Sequence, residues 1–122
     1  MARIAAAGTA LMRASRWFVA VAPVDLRCGM DRLLAMVQSA FGRDAFDGSA
    51  YVFRNRSGTR IKLLLGDATG VWLCVRRLHA GSFVWPREND ELCELSPEQF
   101  EWLCAGVDWR RLSMSKTLAK ML

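Results

Sequence analysis

The sequence predicts an α+β fold: a largely antiparallel sheet of about five strands, with two main helices packed on one of its faces. Within residues 49–79, three short runs rich in β-branched and aromatic residues are separated by glycine-containing turns, as in consecutive hairpins. Two other segments repeat apolar residues at three- and four-residue steps, which is typical of amphipathic helices. The resulting order, β–α–β–β–β–β–α, fits one domain in a chain of 122 residues.

Each element follows from local signals, beginning with a strand over residues 17–22 that Pro23 ends. A helix starts near Met30 and ends at Gly42, because glycine commonly terminates helices. Its predicted buried stripe consists of Leu33, Leu34, Val37 and Phe41. Four further strands are predicted at residues 49–55, 59–65, 71–79 and 91–95.

The second helix has a clear start. Ser96 is predicted to cap it, Pro97 takes its first position, and a Glu/Gln pair follows. Gly106 ends it. Its predicted buried side consists of Phe100, Leu103 and Cys104.

A single domain is predicted over residues 16–112. Residues 1–15 are expected to form a weakly ordered extension, and residues 113–122 a tail able to form a short helix. A targeting peptide is disfavoured, since Arg13 and Arg16 follow the short apolar run. No run approaches the roughly 18 apolar residues of a membrane-spanning helix.

Composition and cysteine spacing exclude several classes of protein. A hydrophobic fraction of 52% and a charged fraction of 24% are those of a folded domain. The four cysteines form no Cys-x-x-Cys pair, so neither a disulfide framework nor a zinc site is predicted. They are interpreted as small core residues of a reduced protein: Cys28, Cys74, Cys93 and Cys104.

The net charge of +5 is unevenly distributed along the chain. Residues 1–87 carry thirteen basic and five acidic side chains, whereas residues 88–101 carry six acidic side chains and no basic one. At a Debye length of about 8 Å, these two regions act as separate surfaces. A basic body of this kind is typical of proteins that bind a polyanion.

The basic residues of the predicted hairpins are the candidate DNA-binding residues. They are Arg54, Arg56, Arg60, Lys62, Arg76 and Arg77, against the single carboxylate of Asp67. Alternation along the strand directs Arg60, Lys62 and Leu64 outward, and Ile61, Leu63 and Leu65 into the core. Arg54, across a short turn, is expected to share the outer face with Lys62, together with Arg76 or Arg77. The alternative is a solvated sheet face without a ligand.

Aromatic residues lie among these arginines, and most are expected in the core, although one or two can stack on bases. They are Trp17, Tyr51, Phe53, Trp72, Phe83 and Trp85. Whether Asp67 pairs with Lys62 remains open from the sequence.

Enzymatic alternatives have little support. The single histidine, His79, has no nucleophile placed near it by the sequence, and no phosphate-binding glycine loop is present. A metal-dependent nuclease site would require Asp25, Asp67 and Asp108 to converge. Each of these aspartates also has an ordinary role in a turn or cap. No catalytic residue, metal site or cofactor is therefore predicted.

Four segments in order resemble a known family: VDLRCGMDRLLAMV (24–37), YVFRNRSGTRIKLLLGDATG (51–70), RRLHAGSFVWP (76–86) and LSPEQF…GVDWRR (95–111). The chain resembles the second open-reading-frame protein, often labelled TnpB-type, of the insertion-sequence-66 group of bacterial transposable elements. The matching motif residues include Asp25, Arg27, Asp67, Trp85, Asp108, Trp109 and Arg110. The family usually has a tryptophan just before the aspartate matching Asp67, and a lysine at Cys28.

The resemblance implies a cytoplasmic, non-enzymatic accessory protein of transposition, while a separate transposase carries out catalysis. Together with the basic strands, it predicts DNA as a partner, bound mainly through phosphates. Two alternatives remain: a module that docks onto the transposase or a sister accessory protein without touching DNA, and the nuclease above.

Overall fold

A computed structural model of the chain describes residues 13–87 and 90–111. These ranges contain the five strands β1 (Trp17–Ala20), β2 (Ala50–Arg54), β3 (Arg60–Gly66), β4 (Val71–Arg77) and β5 (Leu92–Leu95). They also contain the helices α1 (Met30–Ser39) and α2 (Pro97–Cys104). The predicted α+β class, element order and number of strands are confirmed. Most of the predicted extension at 1–15 and the predicted helix at 113–122 lie outside the described residues.

The five strands form one mixed sheet in the order β4-β3-β2-β1-β5. The pairs β2–β3, β3–β4 and β1–β5 are antiparallel, whereas β1 and β2 are parallel. A parallel pair needs a crossover connection, and the segment containing α1 supplies it. The sheet is therefore largely antiparallel, as predicted, with one parallel step at the crossover.

The two helices cover opposite faces of this sheet, so the prediction that both pack on one face is not confirmed. Leu33 and Val37 of α1 are buried against one face, which we call the α1 face. Its sheet residues include Phe18, Tyr51, Phe53 and Leu64. Phe100 and Leu103 of α2 are buried against the other, the α2 face. Its sheet residues include Val19, Val52, Ile61 and Leu63.

Two tryptophans fasten the segment between β4 and β5 to the rest of the domain. The indole Nε1–H of Trp85 donates to the carbonyl of Ala20 at 2.8 Å, and that of Trp109 donates to Val84 at 2.8 Å. Both rings are buried, which explains why each polar edge needs a partner. At the start of α2, Ser96 forms the predicted capping box with Gln99. Neither helix among the described residues has the length and apolarity to cross a membrane.

Candidate functional site

The turn between β2 and β3 decides which face each basic residue occupies. The Asn55 side chain accepts hydrogen bonds from the backbone N–H groups of Thr59 and Arg60, at 3.0 and 3.1 Å. Gly58 adopts a positive φ of 71°, which the turn requires and which glycine tolerates without strain. The strands therefore close with Asn55 donating to the Arg60 carbonyl, and Arg54 lies opposite Ile61.

This register corrects two predictions about the basic face. Arg54 is paired with Ile61, so it points to the α2 face, and Lys62, paired with Phe53, points to the α1 face. The two side chains therefore do not share a surface. Leu64, predicted to face outward, is fully buried beneath α1. Only Arg60, half-buried Lys62 and Arg77 remain on the accessible end of the α1 face.

A groove of about 860 Å³ lies at that end of the α1 face, and we call it the basic groove. Its walls are the loop 23–27 and the turn residues 55–57. Its remaining lining comes from Arg60, Lys62 and Val75 on the sheet. Arg77, paired across the strands with Arg60, extends the same basic surface.

Hydrogen bonds fix the loop wall of the basic groove to the sheet. Val24 N–H donates to the Arg54 carbonyl at 2.9 Å, and Lys62 Nζ donates to the Cys28 carbonyl at 3.1 Å. On the other wall, Phe83 N–H donates to the Gly58 carbonyl at 2.7 Å. Both walls are thus held in place by contacts to the sheet or its neighbours, which favours a preformed site.

Four cations of the basic surface have no carboxylate partner among the described residues. Across residues 13–87 and 90–111, none of Arg56, Arg60, Lys62 or Arg77 forms an ion pair. The acidic segment contacts a different cation: the Arg16 guanidinium makes two hydrogen bonds to the Glu94 carboxylate, at 2.7 and 2.8 Å. These four positive charges are therefore not compensated by an ion pair within the described part of the chain.

Among the described residues that line the basic groove, Asp25 is the one with a carboxylate, and Arg27 holds it. The Arg27 backbone N–H and Nε both donate to Asp25 Oδ1 at 3.0 Å, and Nη2 donates to Oδ2 at 2.9 Å. These bonds stabilise the ionised form and lower the pKa of Asp25 from its usual 3.8 to about 2. The hydrogen bonds from the Arg27 side chain contribute most, and the bond from the Arg27 backbone N–H comes next. Asp25 is therefore ionised throughout the physiological range.

The other two predicted DNA-binding arginines lie on the α2 face. Arg54 Nη2 donates to the Val21 carbonyl at 3.3 Å, and its guanidinium lies 5.7 Å from the Trp85 ring centroid. Burial lowers the pKa of Arg54. Arg76 Nε donates to the Cys104 carbonyl at the end of α2. Both guanidinium groups therefore serve contacts inside the domain.

The aromatic residues are mainly core, as predicted. Tyr51, Phe53, Phe83 and Trp85 are buried, and Trp17 packs against Phe100 with ring centroids 6.1 Å apart. Trp72 is 39% exposed, but it is paired with Leu65 on the α2 face. No aromatic side chain lines the basic groove within the described part of the chain.

The aspartates of the nuclease hypothesis do not converge. Asp67 closes the β3–β4 turn by accepting from Thr69 and Gly70, and Asp108 pairs with Arg110 beyond α2. Asp25 lies in the basic groove, so the three carboxylates occupy three separate turns. In residues 13–87 and 90–111, no three His, Cys, Asp or Glu side chains are grouped as a metal site requires. The Asp67 bonds also answer the open question about Lys62, which donates to Cys28 instead.

The motif residues separate into two structural sets. Asp25 and Arg27 shape the basic groove. Asp67, Asp108 and Arg110 stabilise turns elsewhere, and Trp85 and Trp109 hold the segment between β4 and β5 to the rest of the domain. Asp108 and Arg110 repeat the Asp25–Arg27 arrangement, with the Arg110 N–H and Nε on the same Oδ1 at 3.1 and 3.0 Å. Such paired bonds lower the pKa of Asp108 as well.

Sequence reasoning missed three contributors to the site. Asn55 builds the turn, and an asparagine directly before Arg-Ser-Gly is a recognisable turn signal. Arg27 had only a motif assignment, although it lies in the basic groove. Val75 was treated as an ordinary strand residue, yet it is 61% exposed beside Lys62.

Comparisons with known proteins give one family model and two similar proteins. The family model described as "IS66 Orf2 like protein" matches residues 15–114. The uncharacterized protein y4hO of Sinorhizobium fredii is 38% identical over 95 residues, covering 78% of this chain and 83% of that protein. The uncharacterized protein y4jC of the same organism is 39% identical over 100 residues, covering 82% and 86%. No solved structure matches the chain.

Proposed function

This chain belongs to the IS66 Orf2-like family, and on that premise we propose that it is a non-enzymatic accessory protein of transposition that binds DNA through the basic groove. The observation that carries this proposal is the set of cations at the accessible end of the α1 face. Their charges are not neutralised by any carboxylate of the described residues, apart from the Asp25–Arg27 pair. A polyanion supplies the missing counter-charge.

Phosphates suit these side chains better than bases do. Arg60 and Arg77 are paired across adjacent strands, so their side chains emerge about 5 Å apart at the Cβ atoms. Arg56 projects from the neighbouring turn, and Lys62 lies at the groove floor. Each phosphate neutralised by such a group releases condensed counterions, which provides sequence-independent affinity.

Base recognition has weaker support in the groove. Single-stranded nucleic acid is usually held by aromatic stacking platforms, and none lines the described groove. Phosphate contacts position a protein on DNA and carry little sequence information. We therefore expect this protein to bind duplex DNA in the cytoplasm with weak sequence preference. The choice of the target sequence then belongs to its partner, the transposase.

A second candidate function is docking onto the transposase or a sister accessory protein without DNA contact. The observation that favours it is the exposed surface of α2, where Trp102 is 36% exposed beside the exposed carboxylates of Glu98 and Glu101. A basic partner surface with an apolar centre would complement this helix.

A titration of duplex DNA against salt distinguishes the two functions. We expect fluorescence anisotropy with DNA from the element's ends to show an affinity that falls steeply with salt. Arg60→Gln and Arg77→Gln are each expected to reduce the slope of log K against log salt by about 0.9, the value for one phosphate contact.

The matched control is Arg16→Gln, which removes the same charge at the Glu94 pair, away from the groove. It is expected to leave the slope nearly unchanged. A wild-type affinity that is absent or independent of salt contradicts DNA binding. Retained co-purification with the transposase in the Arg60→Gln/Arg77→Gln variant would then support the docking function.

A further inference from the structure

β4 forms one edge of the sheet built by residues 13–87 and 90–111, and its composition is unusual for an edge. The two charged residues of the strand, Arg76 and Arg77, lie at its end, and its first five residues, 71–75, read VWLCV, with no charge, proline or glycine. Natural edge strands normally carry such residues, because exposed backbone groups otherwise pair with another strand. Trp72 is 39% exposed and Val75 is 61% exposed, so apolar side chains accompany the open edge.

The hydrogen-bond pattern shows which backbone groups of β4 point outward. Asp67 N–H donates to the Gly70 carbonyl and Leu78 N–H donates to the Thr59 carbonyl, at 2.9 and 3.0 Å. Alternation in an antiparallel pair then directs the even-numbered residues of β4 toward β3. The N–H and C=O groups that point away from the sheet belong to Val71, Leu73, Val75 and Arg77.

We propose that a second copy of this chain pairs with β4 in antiparallel orientation, centred on Cys74, and joins two five-stranded sheets into one. This register pairs all seven residues of the strand. It places Val71 opposite Arg77 and Leu73 opposite Val75 as hydrogen-bonded pairs, so every outward backbone group of β4 gains a partner. The inference does not depend on DNA binding.

Side-chain complementarity supports the same register. On the α2 face, this register places Trp72 of each copy opposite Arg76 of the other copy. Each of these two symmetry-related contacts is a favourable cation–π pair. Arg76 is already anchored on that face by its bond to the Cys104 carbonyl. On the α1 face, Leu73 covers exposed Val75 of the second copy. The chain after β4 turns back to Gly58 through Phe83, and no strand of the described residues pairs with the outer side of β4.

The pairing has a structural consequence for the basic groove. A twofold axis perpendicular to the sheet relates two strands paired in this way. The α1 faces of both copies therefore lie on the same side of the joined sheet. Two basic grooves then face the same direction at opposite ends of the joined β4 strands. A linear polyanion can contact both.

Sedimentation of the full chain tests the proposal directly. We expect a species of twice the 13.7 kDa chain mass. Trp72→Lys is expected to weaken the dimer about tenfold or more, because it replaces both ring contacts with repulsion of Arg76. Adding Arg76→Glu is expected to restore dimerisation through opposite charges. The matched control is Trp102→Lys, the same change at an exposed tryptophan of α2, which should leave dimerisation unchanged.

Oxidation by copper–phenanthroline tests the register. Cys74 faces itself in a non-hydrogen-bonded pair, where Cα atoms lie about 4.5 Å apart, within the range of a disulfide. The two Cys74 thiols lose two protons to solvent and one electron to each of two copper(II) ions, and their sulfur atoms form one S–S bond. Peptide mapping should locate the cross-link there. Any of four results overturns the proposal. The first two are a chain that remains a monomer at every attainable concentration, and a Trp102→Lys variant that weakens the dimer as much as Trp72→Lys does. The other two are a failure of Arg76→Glu to restore dimerisation of Trp72→Lys, and a cross-link that forms through another cysteine.

Discussion

The two faces of the sheet formed by β2, β3 and β4 use the same kind of side chain for different purposes. On the α2 face, the guanidinium groups of Arg54 and Arg76 donate to main-chain carbonyls inside the domain. On the α1 face, Arg60 and Arg77 form no ion pair within the described part of the chain. Whether an arginine stabilises the fold or is available to bind a ligand therefore depends on the sheet face to which its strand position directs it. It does not depend on how close the arginines are in sequence.

The largest expected effect is the difference in folding stability between variants of Arg54 and variants of Arg60. We expect Arg54→Ala to lower the free energy of unfolding by about 2 kcal/mol, through loss of a charged hydrogen bond and of stem packing on Trp85. Arg60→Ala, at an exposed site, should change it by less than about 0.5 kcal/mol. Urea denaturation followed by circular dichroism measures both.

Equal losses in these two variants would contradict the division between the faces. Arg54→Lys sharpens the test, since it keeps the charge but cannot reproduce the planar contact with the Trp85 ring. Its stability should lie between those of wild type and Arg54→Ala.

The misplacement of Arg54 shows what the sequence could and could not specify. The alternation of Arg60 to Leu63 located β3 correctly, whereas Leu64 is buried because α1 covers that part of the face. The relation between β2 and β3 depended on the turn. A three-residue turn at 56–58 would place Arg54 on the same face as Lys62. In the structure, the Asn55 N–H donates to the Arg60 carbonyl, so the turn is one residue longer. A shift of one residue moves a side chain to the opposite face.

The placement of the helices was uncertain for a different reason. The apolar stripe of α1 was read correctly at Leu33 and Val37, since helical periodicity shows which side is buried. It does not show which face of a sheet receives that side. The parallel pairing of β1 with β2 makes α1 a crossover on one face, and the chain reaches the other face through β5. These relations depend on long-range pairing.

A smaller effect is expected for Lys62, which belongs to both groups. Lys62 lines the basic groove, yet its Nζ donates to the Cys28 carbonyl and holds the loop wall. We expect Lys62→Met to lower the free energy of unfolding by about 1 kcal/mol and also to weaken DNA binding. Arg60→Met is the control, because it removes a groove charge without a carbonyl contact. Unchanged stability of Lys62→Met would show that the bond to Cys28 contributes nothing.

The smallest effect concerns the carboxylate of Asp25, the negative charge within the basic groove. Its pKa of about 2 in the folded protein lies below the usual 3.8, so the pair with Arg27 stabilises the fold above pH 3.8. That contribution is lost as the pH falls from 3.8 through about 2. Carbon-detected NMR should give an Asp25 midpoint near 2, and Arg27→Ala should return it toward 3.8, while Arg110→Ala leaves it unchanged.

A DNA-binding titration of the Asp25→Asn variant tests whether Asp25 limits the affinity of the basic groove. Because its carboxylate stays ionised above pH 3.8, the charge of the basic groove is constant from there to neutral pH. Arg27 lies against Asp25 and so adds little net charge, which leaves the field to Arg56, Arg60, Lys62 and Arg77. Asp25→Asn should therefore tighten polyanion binding modestly by releasing Arg27. Weaker binding by this variant would instead mean that Asp25 positions Arg27 for a phosphate.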